Sequence, residues 1–229
     1  MIAIAGGKGG CGKTTTTVAL ARALADRGGA TPLVADADWD MPNLHALAGA
    51  GPSPSIAAVR DGDRPDAIAQ FVGEPAIGVL PAPTGEESPR VDATFAALRE
   101  RTARSPVLVD CPAGAGRDAA RPLGLADGVV LVSTATPDSL RDAAKTAAMA
   151  DALGTPILGA ALTAAGSIPP GARRLLGTEQ LVPVPESSSP LDDAAVRQAF
   201  ADLADEIPVS PPNGTNIGVQ RRLHSHDGY

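Results

Sequence analysis

Cysteine is close to absent from this chain, and the two that occur, Cys11 and Cys111, form no CxxC pair. Neither they nor the histidines fall at a spacing expected for zinc or an iron–sulfur cluster, so no metal cluster is indicated. Lysine is almost as scarce: Lys8, Lys13 and Lys145 are the only lysines among 19 basic residues. A formal net charge of −7 excludes a protein that coats nucleic acid through bulk charge, because such binding needs many Lys and Arg contacts to phosphates. The pairs Arg173-Arg174 and Arg221-Arg222 leave nonspecific DNA binding only weakly supported. No uninterrupted apolar run approaches the ~18 residues that span a bilayer. The N-terminus enters a glycine loop without a charged leader or cleavage site, which predicts a cytoplasmic protein.

A chain of 229 residues, 44% of them hydrophobic, suits one substantial core rather than two. Short apolar runs recur at Ile2 to Ala5, Pro32 to Ala35, Ile77 to Leu80, Val107 to Val109, Val129 to Val132 and Ile157 to Leu162. They do not alternate with polar residues, as expected of strands covered on both faces. Helical patterns separate them. Thr136-Pro137-Asp138 offers an N-cap, a proline at the first helical position and an acid in the first turn, and Gly154 with Pro156 closes that segment. Ser189-Pro190 predicts a second such start, with Leu191, Ala195, Ala199, Leu203 and Ile207 as its apolar stripe. The fold class expected is α/β, a three-layer sandwich with a mostly parallel sheet and helices on both faces. The domain predicted is 1–207. Residues 208–229 carry little apolar periodicity and predict a mobile tail.

Gly7-Lys8-Gly9-Gly10-Cys11-Gly12-Lys13-Thr14 fits G-x-x-x-x-G-K-[ST], directly after an apolar strand and directly before a helical pattern. That context is what a phosphate-binding loop requires. Glycines let successive N–H groups turn toward phosphates, and the following helix adds the positive end of its dipole. Lys13 supplies a full charge to the terminal phosphates, and the Thr14 hydroxyl is the expected Mg²⁺ ligand.

Lys8 is not needed by an ordinary phosphate loop. With it, Lys8-Gly9-Gly10-Cys11-Gly12-Lys13-Thr14-Thr15 resembles the K-G-G-x-G-K-T-T signature of the MinD/ParA family of P-loop NTPase fold. The resemblance runs through roughly residues 1 to 207. It implies that Gly7 to Thr15 bind ATP and that Lys8 reaches a partner's nucleotide across an ATP-dependent homodimer. Asp36-Ala37-Asp38, followed by Asn43-Leu44, resembles the family's switch I. By that match Asp38 orients the attacking water and Asp36 lies near the magnesium shell. Asp40 receives no role. Asp110-Cys111-Pro112-Ala113-Gly114 resembles the Walker B and switch II segment D-x-P-x-G, which makes Asp110 a magnesium residue. Catalysis is thereby expected from Lys8, Lys13 and Asp38, and metal binding from Thr14, Asp36 and Asp110. Where relatives carry Asn-Arg, this chain has Thr163-Ala164, so the adenine-contacting amide is missing and Val182 to Glu186 are candidates to contact the purine through their backbone.

The function expected is a slow, partner-stimulated Mg-ATP hydrolase, a dimerisation switch that positions or partitions a cellular cargo in cell division, chromosome or plasmid segregation, or another complex. The alternatives are a nucleotide-dependent scaffold with negligible turnover, or a metabolic P-loop ligase. A protein activator is expected, whereas Gly218 to His224 is too short and weakly apolar for a membrane-docking helix. Cys11 would be reactive if the helix N-terminus lowers its pKa, against the simpler reading of a small apolar filler.

Overall fold

The computed structural model describes residues 1–83, 90–102 and 105–208. Almost all of the predicted tail, including Arg221-Arg222, thus lies outside the described residues. The first half contains β1 (Ile2–Ala5), α1 (Lys13–Asp26), β2 (Leu33–Asp36), α2 (Leu44–Ala48), α3 (Ala57–Asp61), α4 (Pro65–Ile68), β3 (Gln70–Val72), β4 (Ile77–Leu80) and α5 (Val91–Arg101). The second contains β5 (Val107–Asp110), α6 (Arg117–Leu125), β6 (Gly128–Thr134), α7 (Pro137–Leu153), β7 (Ile157–Thr163), α8 (Ala172–Leu176), β8 (Leu181–Pro183) and α9 (Ala194–Glu206).

The strands form one eight-stranded sheet in the order β3-β4-β2-β5-β1-β6-β7-β8. Every pairing is parallel except β3 with β4. Each buried strand sends alternate side chains to opposite faces. Ile2, Ile4, Val34, Leu108, Val130 and Val132 meet α1, α2 and α9. Ala3, Ala5, Leu33, Val107, Val109 and Leu131 meet a second layer that includes Ile56, Phe95, Leu98 and Leu123. The expected sandwich is therefore present, with each fully buried Leu or Phe contributing about 1.5–3 kcal/mol of transfer free energy.

The predicted ends of α7 hold: the Thr136 hydroxyl accepts from Ser139 N, and Gly154 closes the helix at φ 73°. The start of α9 does not. Ser189-Pro190 forms a turn in which Ser189 O accepts from Asp192 N and Asp193 N. The helix begins at Ala194, where Asp193 caps the N–H groups of Ala195 and Val196 at 2.8 and 3.2 Å. The buried stripe consequently runs through Val196, Ala199, Phe200, Leu203 and Ala204, and the predicted Ala195 is exposed.

Candidate functional site

In a parallel sheet the loops at the carboxyl ends of the strands gather on one edge, and a site forms where neighbouring connections diverge to opposite faces. Here β1 lies between β5 and β6, and the loop after β1 is Gly6 to Gly12. Its shape depends on close approach. A Cβ on Gly6 would come within 2.4 Å of Val132 O, and one on Gly7 within 2.2 Å of the Asp142 backbone in α7. No side chain fits at either position. Gly10 and Gly12 adopt φ 74° and 91°, the left-handed region that only glycine enters without strain. The predicted nucleotide residues Gly7, Lys8, Gly9, Gly10, Cys11, Gly12, Lys13, Thr14 and Thr15 are thus assembled in this loop and the first turn of α1.

The two loop lysines differ. Lys13 is 8% exposed and its Nζ donates to Lys8 O at 3.4 Å. Lys8 stands exposed on the crest with Gly9 and Gly10, its ammonium making no hydrogen bond among the described residues. Asp142 senses it through space, although the Asp142 carboxyl is held low first by the 2.8 Å bond from Lys145.

One flank of the loop is carboxylate. Asp36 and Asp110 are register partners at the ends of β2 and β5, and both are buried. Burial pushes the Asp110 carboxyl up to about 7, with Asp36 adding to the rise and the Thr14 hydroxyl, Lys13 and Thr17 opposing it. Burial likewise pushes Asp36 up to about 6, against N–H groups that stabilise its anion. Those bonds show a role that sequence reading missed. Asp36 accepts from Asp38 N at 3.0 Å and Leu44 N at 3.2 Å, so it shapes the loop between them. Asp38, half-buried, accepts from Met41 N at 3.2 Å within that loop. The Trp39 indole N–H donates to Asp36 O at 3.1 Å, whereas Asp40 is exposed and its carboxylate makes no hydrogen bond among the described residues.

Thr14 donates to Asn43 Oδ1 at 3.1 Å, and Thr17 donates to Asp110 Oδ1 at 3.4 Å. The Thr17 contact follows from helical spacing, four residues after Lys13, but nothing in the sequence alone says which strand it faces. The loop after β5 touches the phosphate loop directly, because Gly114 N donates to Gly6 O at 3.2 Å. Two adjoining buried carboxylates beside a hydroxyl are a donor set that fits a hard divalent cation, which neutralises their repulsion. Without a cation the cost of their charge has a pH signature. Both carboxyls bind protons more tightly in the folded than in the unfolded chain, so their contribution falls as pH rises from about 4 to about 7. Asp110→Asn is expected to raise the melting temperature of the ligand-free protein at pH 8 by about 5 °C and to abolish stabilisation by Mg²⁺ with nucleotide. A lowered melting temperature, read by scanning calorimetry, would contradict an unneutralised Asp110.

The other flank is a cavity of about 210 Å³ bounded by Gly10 to Gly12, Thr15, Thr16, Thr163-Ala164 and Val184 to Ser187, with Val196 and Phe200 also lining it. The Thr163 hydroxyl lies at 2.7 Å from Cys11 O and 3.2 Å from Ser133 O, both acceptors, so its proton is committed to holding the loop. Cys11 is buried with its Sγ against Val132 O at 3.5 Å. Burial raises its thiol pKa, with Lys13 opposing, which favours the simpler reading of a small apolar filler over activation by the helix N-terminus. The two cysteines also pack into hydrophobic clusters on opposite faces of the sheet. Among the basic pairs, Arg173 donates to Glu179 O at 3.1 Å and forms an ion pair with the Glu179 carboxylate at 3.9 Å, and Arg174 is the more exposed.

The CobQ/CobB/MinD/ParA nucleotide binding domain model matches residues 2–181. The chain belongs to that family. The loop after β1, Asp36, Asp38 and Asp110, and seven of the eight described strands lie within the matched span. An uncharacterized ATP-binding protein of Methanocaldococcus jannaschii is 36% identical over 168 residues, covering 69% of this chain and 62% of the relative. The chain therefore spans less than two thirds of that relative's length. The cell division ATPase MinD of Pyrococcus furiosus superposes with a TM-score of 0.74 at 28% identity, covering 90% of this chain and 96% of MinD. The septum site-determining protein MinD of Pyrococcus horikoshii, complexed with Mg-ADP, superposes with a TM-score of 0.76 at 25% identity over 90% of this chain and 94% of its own. Family members are thus nucleotide-binding P-loop ATPases, and among the described residues of this chain no helix is long and apolar enough to cross a membrane.

Proposed function

We propose that the chain, acting through residues 1–207, is a Mg-ATP-dependent dimerisation switch. It binds and slowly hydrolyses ATP to position or partition a cellular cargo. The observation that carries this reading is the division of labour between the two loop lysines. Lys13 is buried and turned back on its own loop, where it serves the nucleotide of its own chain. Lys8 is exposed on the crest, and in this reading it serves the nucleotide of a second copy. A cation delivered in trans offsets negative charge that develops on the transferred phosphoryl group, at no cost to the unpaired monomer.

In this reading Gly7 to Thr15 cradle the triphosphate with their N–H groups. Thr14, Asp36 and Asp110 would hold Mg²⁺, which offsets phosphate charge when bound. Asp38 orients water, and the loop carrying Pro112 and Gly114, already bonded to Gly6, reports the state of the γ-phosphate to the surface. A protein activator, and a cytoplasmic setting, complete the proposal.

A second reading, an ATP-dependent scaffold without turnover, draws on the present engagement of Asp38 with Met41 N, which occupies the carboxylate in its own loop. Turnover separates the two. Steady-state phosphate release from Mg-ATP should exceed many equivalents per chain and fall about 100-fold in Asp38→Ala, in the range seen for loss of one positioned group. A wild-type chain releasing no more than one equivalent would favour the scaffold.

A further inference from the structure

Thr14 to Thr17 form an unbroken run at the start of α1, yet their hydroxyls have different fates. Thr17 bonds back to Lys13 O at 3.0 Å and reaches Asp110, and Thr14 donates to Asn43. Both serve the carboxylate flank. Thr16 is fully buried, its backbone N–H donates to Gly12 O at 2.8 Å, and its Oγ1 has no hydrogen-bond partner among the described residues. A helical threonine ordinarily avoids that state by bonding to the carbonyl one turn back, as Thr17 does. An idle buried hydroxyl destabilises the free protein unless something else completes it.

Its position indicates what does. Helical spacing sets Thr16 one turn after Gly12, on the same face. Gly12 faces Thr163, whose Cγ2 would lie 3.1 Å from a Cβ there, and Thr16 itself lines the cavity on this flank. That cavity, about 210 Å³, is smaller than the roughly 300–1,000 Å³ of pockets that enclose a whole ligand. It suits one end of a nucleotide, with the phosphates outside on the glycine loop and the nucleoside against Val184, Pro185 and Phe200.

We infer that Thr16 is a nucleoside-binding residue: its hydroxyl, idle in the free chain, bonds a polar atom of the sugar or base, directly or through one ordered water. The inference rests on the nucleotide-binding reading above. Its consequence is a reversal of sign, since the same hydroxyl weakens the free protein and strengthens the complex.

The test compares wild type, Thr16→Val and Thr16→Ser by calorimetric titration with Mg-ADP and with Mg-tripolyphosphate, which lacks a nucleoside, together with melting of the ligand-free proteins. Thr16→Val is expected to raise the ligand-free melting temperature by about 2 °C and weaken Mg-ADP about three- to tenfold. Tripolyphosphate binding stays unchanged, and Thr16→Ser, which retains the hydroxyl, keeps its Mg-ADP affinity. The inference is overturned if Thr16→Val binds Mg-ADP like wild type, melts lower or does not fold, or loses both probes equally. It is likewise overturned if Thr16→Ser weakens Mg-ADP as much as Thr16→Val does. A wild-type chain that binds neither probe removes the nucleotide reading itself, a result distinct from all of these.

Discussion

Lys8→Ala lowers activator-stimulated ATP turnover by about 10³-fold or more while leaving Mg-ADP affinity within a few-fold of wild type. The separation follows from where the side chain stands. Lys8 is exposed and makes no hydrogen bond through its ammonium among the described residues, so its removal costs the folded monomer little. Nor does it contact the buried carboxylate pair from which the loop's own electrostatics arise. Its whole contribution is expected at the stage where two nucleotide faces meet, and there a single added cation acts on charge that grows toward the transition state. Steady-state turnover and equilibrium titration on the same preparation check the split. Equal losses in affinity and turnover would place Lys8 in its own chain's site.

Lys13→Ala produces the opposite profile, a loss of Mg-ATP affinity of about 10- to 100-fold with little change in fold. Lys13 is nearly buried at the first residue of α1, with its ammonium turned into the loop, and it opposes the raised pKa of both Asp110 and Cys11. Alanine removes the buried positive charge beside the N–H groups expected to receive phosphate. The neighbouring acids then lose their counter-charge, so Asp110 should take up its proton at still higher pH than about 7. Titration of fluorescent nucleotide measures the first effect. Affinity unchanged in the variant would exclude the loop as the phosphate site.

Much of this is legible in the sequence. The six central strands show as unalternating apolar runs because helices cover both faces of the sheet, and the phosphate loop shows because its geometry demands glycine at fixed intervals. The edge strands β3 and β8 leave no such pattern. At three residues each, with Phe71 exposed on β3, they lack the burial that writes a pattern into sequence. The pattern misplaces the start of α9 because Ser189-Pro190 resembles a helix start as closely as the true cap, Asp193. The roles of Asp36 as loop organiser, of Thr17 against Asp110 and of Gly7 against α7 depend on which segments the topology brings together, over as many as 135 residues between Gly7 and Asp142. Of the two readings of Cys11, the small apolar filler is the one the fold favours, because Val132 and the core around the thiol bury it and desolvation outweighs the nearby Lys13 charge.

The central claim, a switch that closes two chains around ATP, is tested most directly by the solution mass of Asp38→Ala measured by light scattering with Mg-ATP and with Mg-ADP, then repeated with Lys8→Ala added. Blocking hydrolysis should trap a dimer that appears with ATP alone and disappears when Lys8 is removed. A monomer under every condition, or a dimer indifferent to nucleotide and to Lys8, would contradict it.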